Sequence, residues 1–226
     1  MSHYSVAVFT DGTADIETLL EPYSEERSVA PYLEFTKQGA IEYGRKNYQS
    51  CRKMTDEEVY NFMSDGYEIQ PNGDLYSTYN PDSKWDWWTV GGRFSGQLKD
   101  KRTGEEVSEG YMRDLEFTMD KEEYKRSLEW WKTHIDNGNT EDMIVKPEYY
   151  QRLYRDAETY ARFSSTFNTY AVVTPDGEWH AQGEVGYFGV SSESEDEARE
   201  WYEKYEERFI KGADPDWYLT IVDCHI

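Results

Sequence analysis

Tyr170-Ala171-Val172-Val173-Thr174, Pro175-Asp176-Gly177 and Glu178-Trp179-His180-Ala181-Gln182 follow one another without a break. Two β-prone runs joined by a Pro-Asp-Gly turn read as a β-hairpin. Downstream, beyond Gly183, Gly186 and Gly189, Ser194 and Glu197 stand at capping-box spacing. Ala198, Trp201, Tyr205 and Phe209 then recur at helical intervals up to Gly212. The run Trp217-Tyr218-Leu219-Thr220-Ile221-Val222-Asp223 is a strongly β-prone strand. Far upstream, Ser5-Val6-Ala7-Val8-Phe9-Thr10 is a strand stopped by Asp11-Gly12. Ile16, Leu19 and Leu20 after it share one face of a short helix that begins near Asp15 and Glu17 and is limited by Pro22.

Taken in order, the two ends spell strand, helix, strand, strand, helix, strand. The expectation is an α+β fold with a ferredoxin-like split βαβ sheet built jointly from residues 1–24 and 167–226. Residues 25–166 then form a large, mainly helical insertion; two consecutive α+β domains with a break near Asn137-Gly138-Asn139 are the alternative. Inside the insertion, Thr55-Asp56-Glu57-Glu58 is a capping box ahead of Val59, Phe62 and Met63. A second helix from Asp120 aligns Tyr124, Leu128, Trp131 and Ile135, and a third from Pro147 carries Tyr150, Leu153, Tyr154, Ala157 and Tyr160 or Ala161 inward.

Forty-six acidic residues against 24 Lys and Arg give the 226 residues a formal charge of −22, at a mean hydropathy of −0.95. Such a field repels nucleic acid, anionic lipid and phosphorylated metabolites and draws in basic protein surfaces. With 16% aromatic residues the chain still fills a core, which separates it from disordered acidic chains. Cys51 and Cys224 lie far apart, Met1-Ser2-His3-Tyr4 has no secretory character, and no run approaches the ~18 apolar residues of a membrane span. The expected setting is the cytoplasm.

The densest local signal is Asn80-Pro81-Asp82-Ser83-Lys84-Trp85-Asp86-Trp87-Trp88-Thr89-Val90-Gly91-Gly92-Arg93-Phe94-Ser95-Gly96. As structure, it is a wedge whose indoles pack on the sheet while Arg93 pairs with Asp86 or stacks on an indole. As function, Gly91, Gly92 and Arg93 make an anion cradle beside indoles that stack a base or sugar. The stretch resembles a motif, Asn-Pro-x-Ser-Lys-Trp-Asp-Trp followed by Gly-Gly-Arg and an aromatic residue, of a family of uncharacterised bacteriophage and prophage proteins. Asp223-Cys224-His225-Ile226 and Gly186-Tyr187-Phe188-Gly189 are similar to blocks of the same family. The resemblance covers about a fifth of the chain. It implies a phage origin, carries no catalytic role, and is compatible with a protein that disables a host enzyme.

Asp223, Cys224 and His225, with His180 from a neighbouring strand, raise metal or nucleophilic chemistry. Strand alternation opposes it, placing Asp223 and His225 on one face and Cys224 on the other. No metal or cofactor is expected. On the last helix Glu200, Glu203, Glu206 and Glu207 repeat at roughly the spacing of phosphates along a DNA strand.

The leading expectation is therefore a non-enzymatic, phage-encoded inhibitor of anti-CRISPR or anti-restriction type. It mimics nucleic acid, without binding it, and enters the basic cleft of a host nuclease or CRISPR effector. Glu200, Glu203, Glu206 and Glu207 would carry it, with Trp85, Trp87, Trp88 and Arg93 as a second contact. The alternative is a small-ligand or nucleotide-binding protein or enzyme with a pocket of Trp88, Gly91, Gly92, Arg93, His180 and His225. RNA recognition, drawing on Arg45, Lys46, Arg52 and Lys53, is a third reading, opposed by the net charge.

Overall fold

The computed structural model describes residues 2–141, 143, 145–184 and 192–226. The Gly186-Tyr187-Phe188-Gly189 block of the resemblance lies outside them. The fold is α+β, with seven α-helices and three sheets among the described residues. The chain divides into two compact units, Met1–Pro22 with Lys84–Ile226, and Tyr23–Ser83. The chain thus re-enters the terminal unit at Lys84, far earlier than the expected boundary at residue 167. No described helix is long and apolar enough to cross a membrane.

The first unit opens with β1 (His3–Thr10) and α1 (Ile16–Leu20). The second contains β2 (Tyr32–Phe35), α2 (Lys37–Asn47), α3 (Asp56–Met63), β3 (Glu68–Ile69) and β4 (Leu75–Ser77). Thr55 and Glu58 close the expected capping box on α3. The unit's sheet runs β2-β4-β3, and its core gathers Ala40, Ile41, Cys51, Val59, Tyr60, Met63 and Leu75. Gly44 lets α2 and α3 close up, because a Cβ there would meet Val59 Cγ1 at 2.8 Å.

The first unit resumes with β5 (Trp87–Val90), β6 (Leu98–Asp100), β7 (Glu106–Val107), β8 (Glu109–Tyr111), β9 (Leu115–Glu116) and α4 (Lys121–Trp131). It continues with α5 (Pro147–Tyr154), α6 (Ala157–Ser165), β10 (Ala171–Val173), β11 (Trp179–Ala181), α7 (Glu195–Tyr205) and β12 (Tyr218–His225). The sequence pattern ran α5 and α6 together. They part at Arg155, whose φ of 68° leaves the helical region, and Asp156 then accepts from the Thr159 N–H to cap α6. A side chain that caps competes with helix continuation.

The termini do share a sheet, ordered β11-β10-β1-β12-β5, with β8 beside the first half of β12. In a split βαβ sheet the strand returning from the first helix lies outermost and its hairpin partner sits next to the first strand. Here β10 itself is parallel to β1 and beside it, and β11 takes the edge. Burial accounts for this order. Ala171, Val172 and Val173 are fully buried and suit an interior place, whereas Trp179, His180 and Ala181 are half-buried and suit a rim.

The sheet carries a core on each face. One face, with Ala7, Phe9, Val172, Leu219 and Ile221, is covered by Trp201, Tyr205 and Phe209 of α7 and the π turn after it. The capping box of Ser194 and Glu197 starts α7, as the spacing predicts. The other face joins Tyr4, Val6, Val8, Ala171, Val173, Val222 and Cys224 to Leu19 and Leu20.

Candidate functional site

β5 pairs antiparallel with the end of β12, matching Trp87 with His225, Trp88 with Cys224 and Thr89 with Asp223. Alternation therefore splits the three tryptophans. Trp85 and Trp88 pack on the Cys224 face, where the Trp85 indole N–H donates to the Leu20 carbonyl at 3.2 Å. Trp87 turns to the opposite face and stacks on His225, with centroids 5.0 Å apart and planes at 15°. It stays 43% exposed, an open ring surface beside a buried imidazole.

The glycine pair has a different role from the expected cradle. Gly91 donates its N–H to the Ile221 carbonyl at 2.8 Å, and the Arg93 N–H donates to Asp223 Oδ2 at 2.9 Å. Gly92 has a φ of 53°, and a Cβ there would sit 2.5 Å from Asp223 Oδ2 and 2.6 Å from Asp223 Cβ. The anion held by this loop is thus the chain's own carboxylate, and the Gly91 and Arg93 N–H groups are already engaged. The Arg93 guanidinium neither pairs with Asp86 nor stacks on an indole; it is exposed and has no polar partner among the described residues.

Asp223 is 2% exposed, and its Oδ1 lies 2.8 Å from Nδ1 of His3. His225 is 5% exposed and sets its Nδ1 2.7 Å from Asp86 Oδ1, while the Asp86 N–H donates to the His225 carbonyl at 3.0 Å. The ladder brings these groups together. His3 stands opposite His225 and Ser5 opposite Asp223, so alternation sends His3, Asp223, His225 and Trp87 to one face. The two imidazole centroids are 5.0 Å apart, and His3 also meets the edge of Trp87 at 5.3 Å. Sequence reasoning found Trp87, Asp223 and His225 but missed His3 and Asp86.

An imidazole that gives its Nδ1 proton to a carboxylate presents a lone pair at Nε2. Neither Nε2 has a protein partner among the described residues, where the one buried side-chain polar atom without a partner is Glu193 Oε2. Both Nε2 edges therefore reach solvent. The arrangement is two oriented imidazoles, side by side, under an open indole. Each can take up or release a proton at Nε2. Cys224, on the far face, has its thiol pushed well above its ordinary range by burial, which removes it as a nucleophile. Two imidazole nitrogens fall short of the donor set a structural metal needs, and no group of three or more potential ligands occurs among the described residues.

His180 does not join this site. It lies on β11, three strands and roughly 14 Å across the sheet from β12. There its Nδ1 accepts from Arg208 at 2.9 Å and its ring meets Phe209. Burial first, and the Arg208 charge second, lower its pKa. The expected pocket of His180 with His225 and Gly-Gly-Arg is thereby corrected.

Glu200, Glu203, Glu206 and Glu207 are all exposed, on α7 and the π turn after it. The row is interrupted by cations. Lys204 pairs with Glu200, and Lys211 lies 3.6 Å from Glu206 and 3.3 Å from Glu207. It is a mixed-charge surface in place of the continuous acidic rail the sequence suggested. The chain matches no protein-family model, no curated protein and no solved structure, so function rests on the geometry.

Proposed function

We propose that this protein binds a small ring-bearing molecule against Trp87 and moves protons on it through Nε2 of His3 and His225. The observation that carries the reading is the pair of carboxylate-held imidazoles with unpartnered Nε2 edges beside an indole that is 43% exposed. Burying Asp223 and His225 at a sheet end costs stability that apolar residues would not. Parts of two blocks of the phage-family resemblance, Asp86–Thr89 and Asp223–His225, meet in this cluster. The nucleotide-binding alternative is thus favoured, with His3 and Asp86 replacing His180 and the glycine loop in the site.

The test is calorimetric titration with adenosine and adenosine 5′-monophosphate. Binding should be measurable and should weaken at least tenfold in Trp87→Ala, whose unfolding midpoint stays close to wild type because the ring is half-exposed. Undiminished binding in Trp87→Ala, or no binding of either probe at millimolar concentration, refutes the reading.

The charge of −22 supports a second reading, the acidic inhibitor of a basic nuclease or CRISPR effector in a host cytoplasm. Exposed Glu203, which has no ion-pair partner among the described residues, is its best-placed contact on α7. Affinity for a basic nuclease should fall steeply between 50 and 500 mM salt; salt-independent affinity removes this reading.

A further inference from the structure

We infer, building on the site reading above, that the substrate is a short ribonucleotide phosphodiester, cleaved by attack of its own 2′-hydroxyl. Four observations converge on that class. The open face of Trp87 selects a flat ring, as base-stacking indoles do. Arg93, whose backbone N–H holds Asp223, keeps an exposed guanidinium with no polar partner among the described residues, a cation for non-bridging phosphate oxygens. Two imidazoles 5.0 Å apart suit a reaction that needs one proton removed and another delivered.

The fourth observation concerns the nucleophile. Cys224 faces the other core, and Ser5 Oγ accepts the Tyr170 N–H at 3.2 Å. Neither is poised to form a covalent intermediate, which leaves water or an oxygen of the substrate itself as the attacking group. A ribose 2′-hydroxyl is such an oxygen. The charge of −22 opposes every added phosphate, which limits the substrate to the shortest phosphodiester, one with a single phosphate.

The step balances without a co-reactant. One Nε2 takes the 2′-hydroxyl proton as O2′ bonds to phosphorus. The P–O5′ bond breaks, and its electron pair leaves on O5′, which receives the proton of the other imidazolium. The products are a 2′,3′-cyclic phosphate and a free 5′-hydroxyl. Water then returns the two imidazoles to their starting protonation states.

The experiment uses the full chain with the dinucleotide ApA, its all-deoxy analogue, and chromatographic detection of adenosine 2′,3′-cyclic phosphate. Wild type should cleave ApA and leave the deoxy analogue intact. His3→Ala and His225→Ala should each lose 10²- to 10⁴-fold, with partial rescue by free imidazole. Asp86→Asn should lower kcat more than KM, and Arg93→Ala, at an exposed side chain, should raise KM. Should His225→Ala fail to fold, His225→Gln and Arg93→Ala carry the test. Cleavage unchanged in the histidine variants, or equal cleavage of the deoxy analogue, overturns the inference. Trp87-dependent binding of ApA without cleavage overturns the chemistry and leaves the binding site standing. Absence of both binding and cleavage removes the two together.

Discussion

Replacing Gly92 with alanine should destabilise the first unit by about 4 kcal/mol, a value assembled from two parts. The backbone part follows from the φ of 53°, where a Cβ costs about 1–2 kcal/mol. The second part follows from contacts at 2.5 Å to Asp223 Oδ2, 2.6 Å to Asp223 Cβ and 2.9 Å to Thr89 Cγ2. Asp223 Cβ belongs to a central strand and cannot step aside, so the carboxylate must swing away from the Arg93 N–H. A lost hydrogen bond to a charged group costs about 1.5–3 kcal/mol. Gly12→Ala is the control, with a φ of 86° and nothing within 4 Å of the added carbon. It should show the backbone part alone. Urea unfolding followed by tryptophan fluorescence reads this unit selectively, because all 8 tryptophans, Trp85 through Trp217, lie in the first unit. A Gly92→Ala value within about 0.5 kcal/mol of the Gly12→Ala value would refute the clamp on Asp223.

Other outcomes follow from the same structure. Ser194→Ala, which opens the capping box on α7, should cost the first unit about 1 kcal/mol by fluorescence-detected urea unfolding. Thr55→Ala should cost the second unit a similar ~1 kcal/mol, read by amide hydrogen exchange because that unit has no tryptophan. Backbone N–H donors hold the cap carboxylates Glu58, Asp120, Asp156 and Glu197 below their ordinary range. A depressed folded pKa adds stability above the unfolded value that is lost as pH falls through the folded one, so urea midpoints should drop from about pH 4 downward. Burial raises the phenols of Tyr4, Tyr154 and Tyr205. A raised folded pKa gives stability that is complete below the unfolded value and lost above it, so midpoints should fall again from about pH 10 upward, less steeply in Tyr205→Phe.

Local patterns were legible where side chains act on their own neighbourhood. The capping boxes at Thr55 and Ser194, the face of Trp201, Tyr205 and Phe209, and the sharing of one sheet by both termini are all present. The site was half legible. Asp223 and His225 stood out in sequence and alternate as strand geometry requires. Their partners His3 and Asp86 lie more than a hundred residues away and become partners through register alone. Gly-Gly-Arg read as a receptor for an external anion because nothing local reveals that Asp223 fills it. α2 escaped notice because Gly39 and Gly44 break its helical signal, although Gly44 is needed for contact with Val59. Two-residue strands such as β3, β7 and β9 exist only by virtue of the strands they pair with.

The position of β12 has a consequence for how this chain comes off the ribosome. β12 hydrogen-bonds to β1 along its whole length and to β5 and β8 on its other side, so the sheet cannot close before residue 225 emerges. At ~5–20 residues per second, the apolar first strand waits roughly 10 to 45 s for its mate. Tyr23–Ser83 has its sheet partners close by in sequence and can fold meanwhile. The nascent protein would then carry a finished module and an unpaired hydrophobic first strand until β12 emerges, a natural client for a chaperone that grips extended hydrophobic chain.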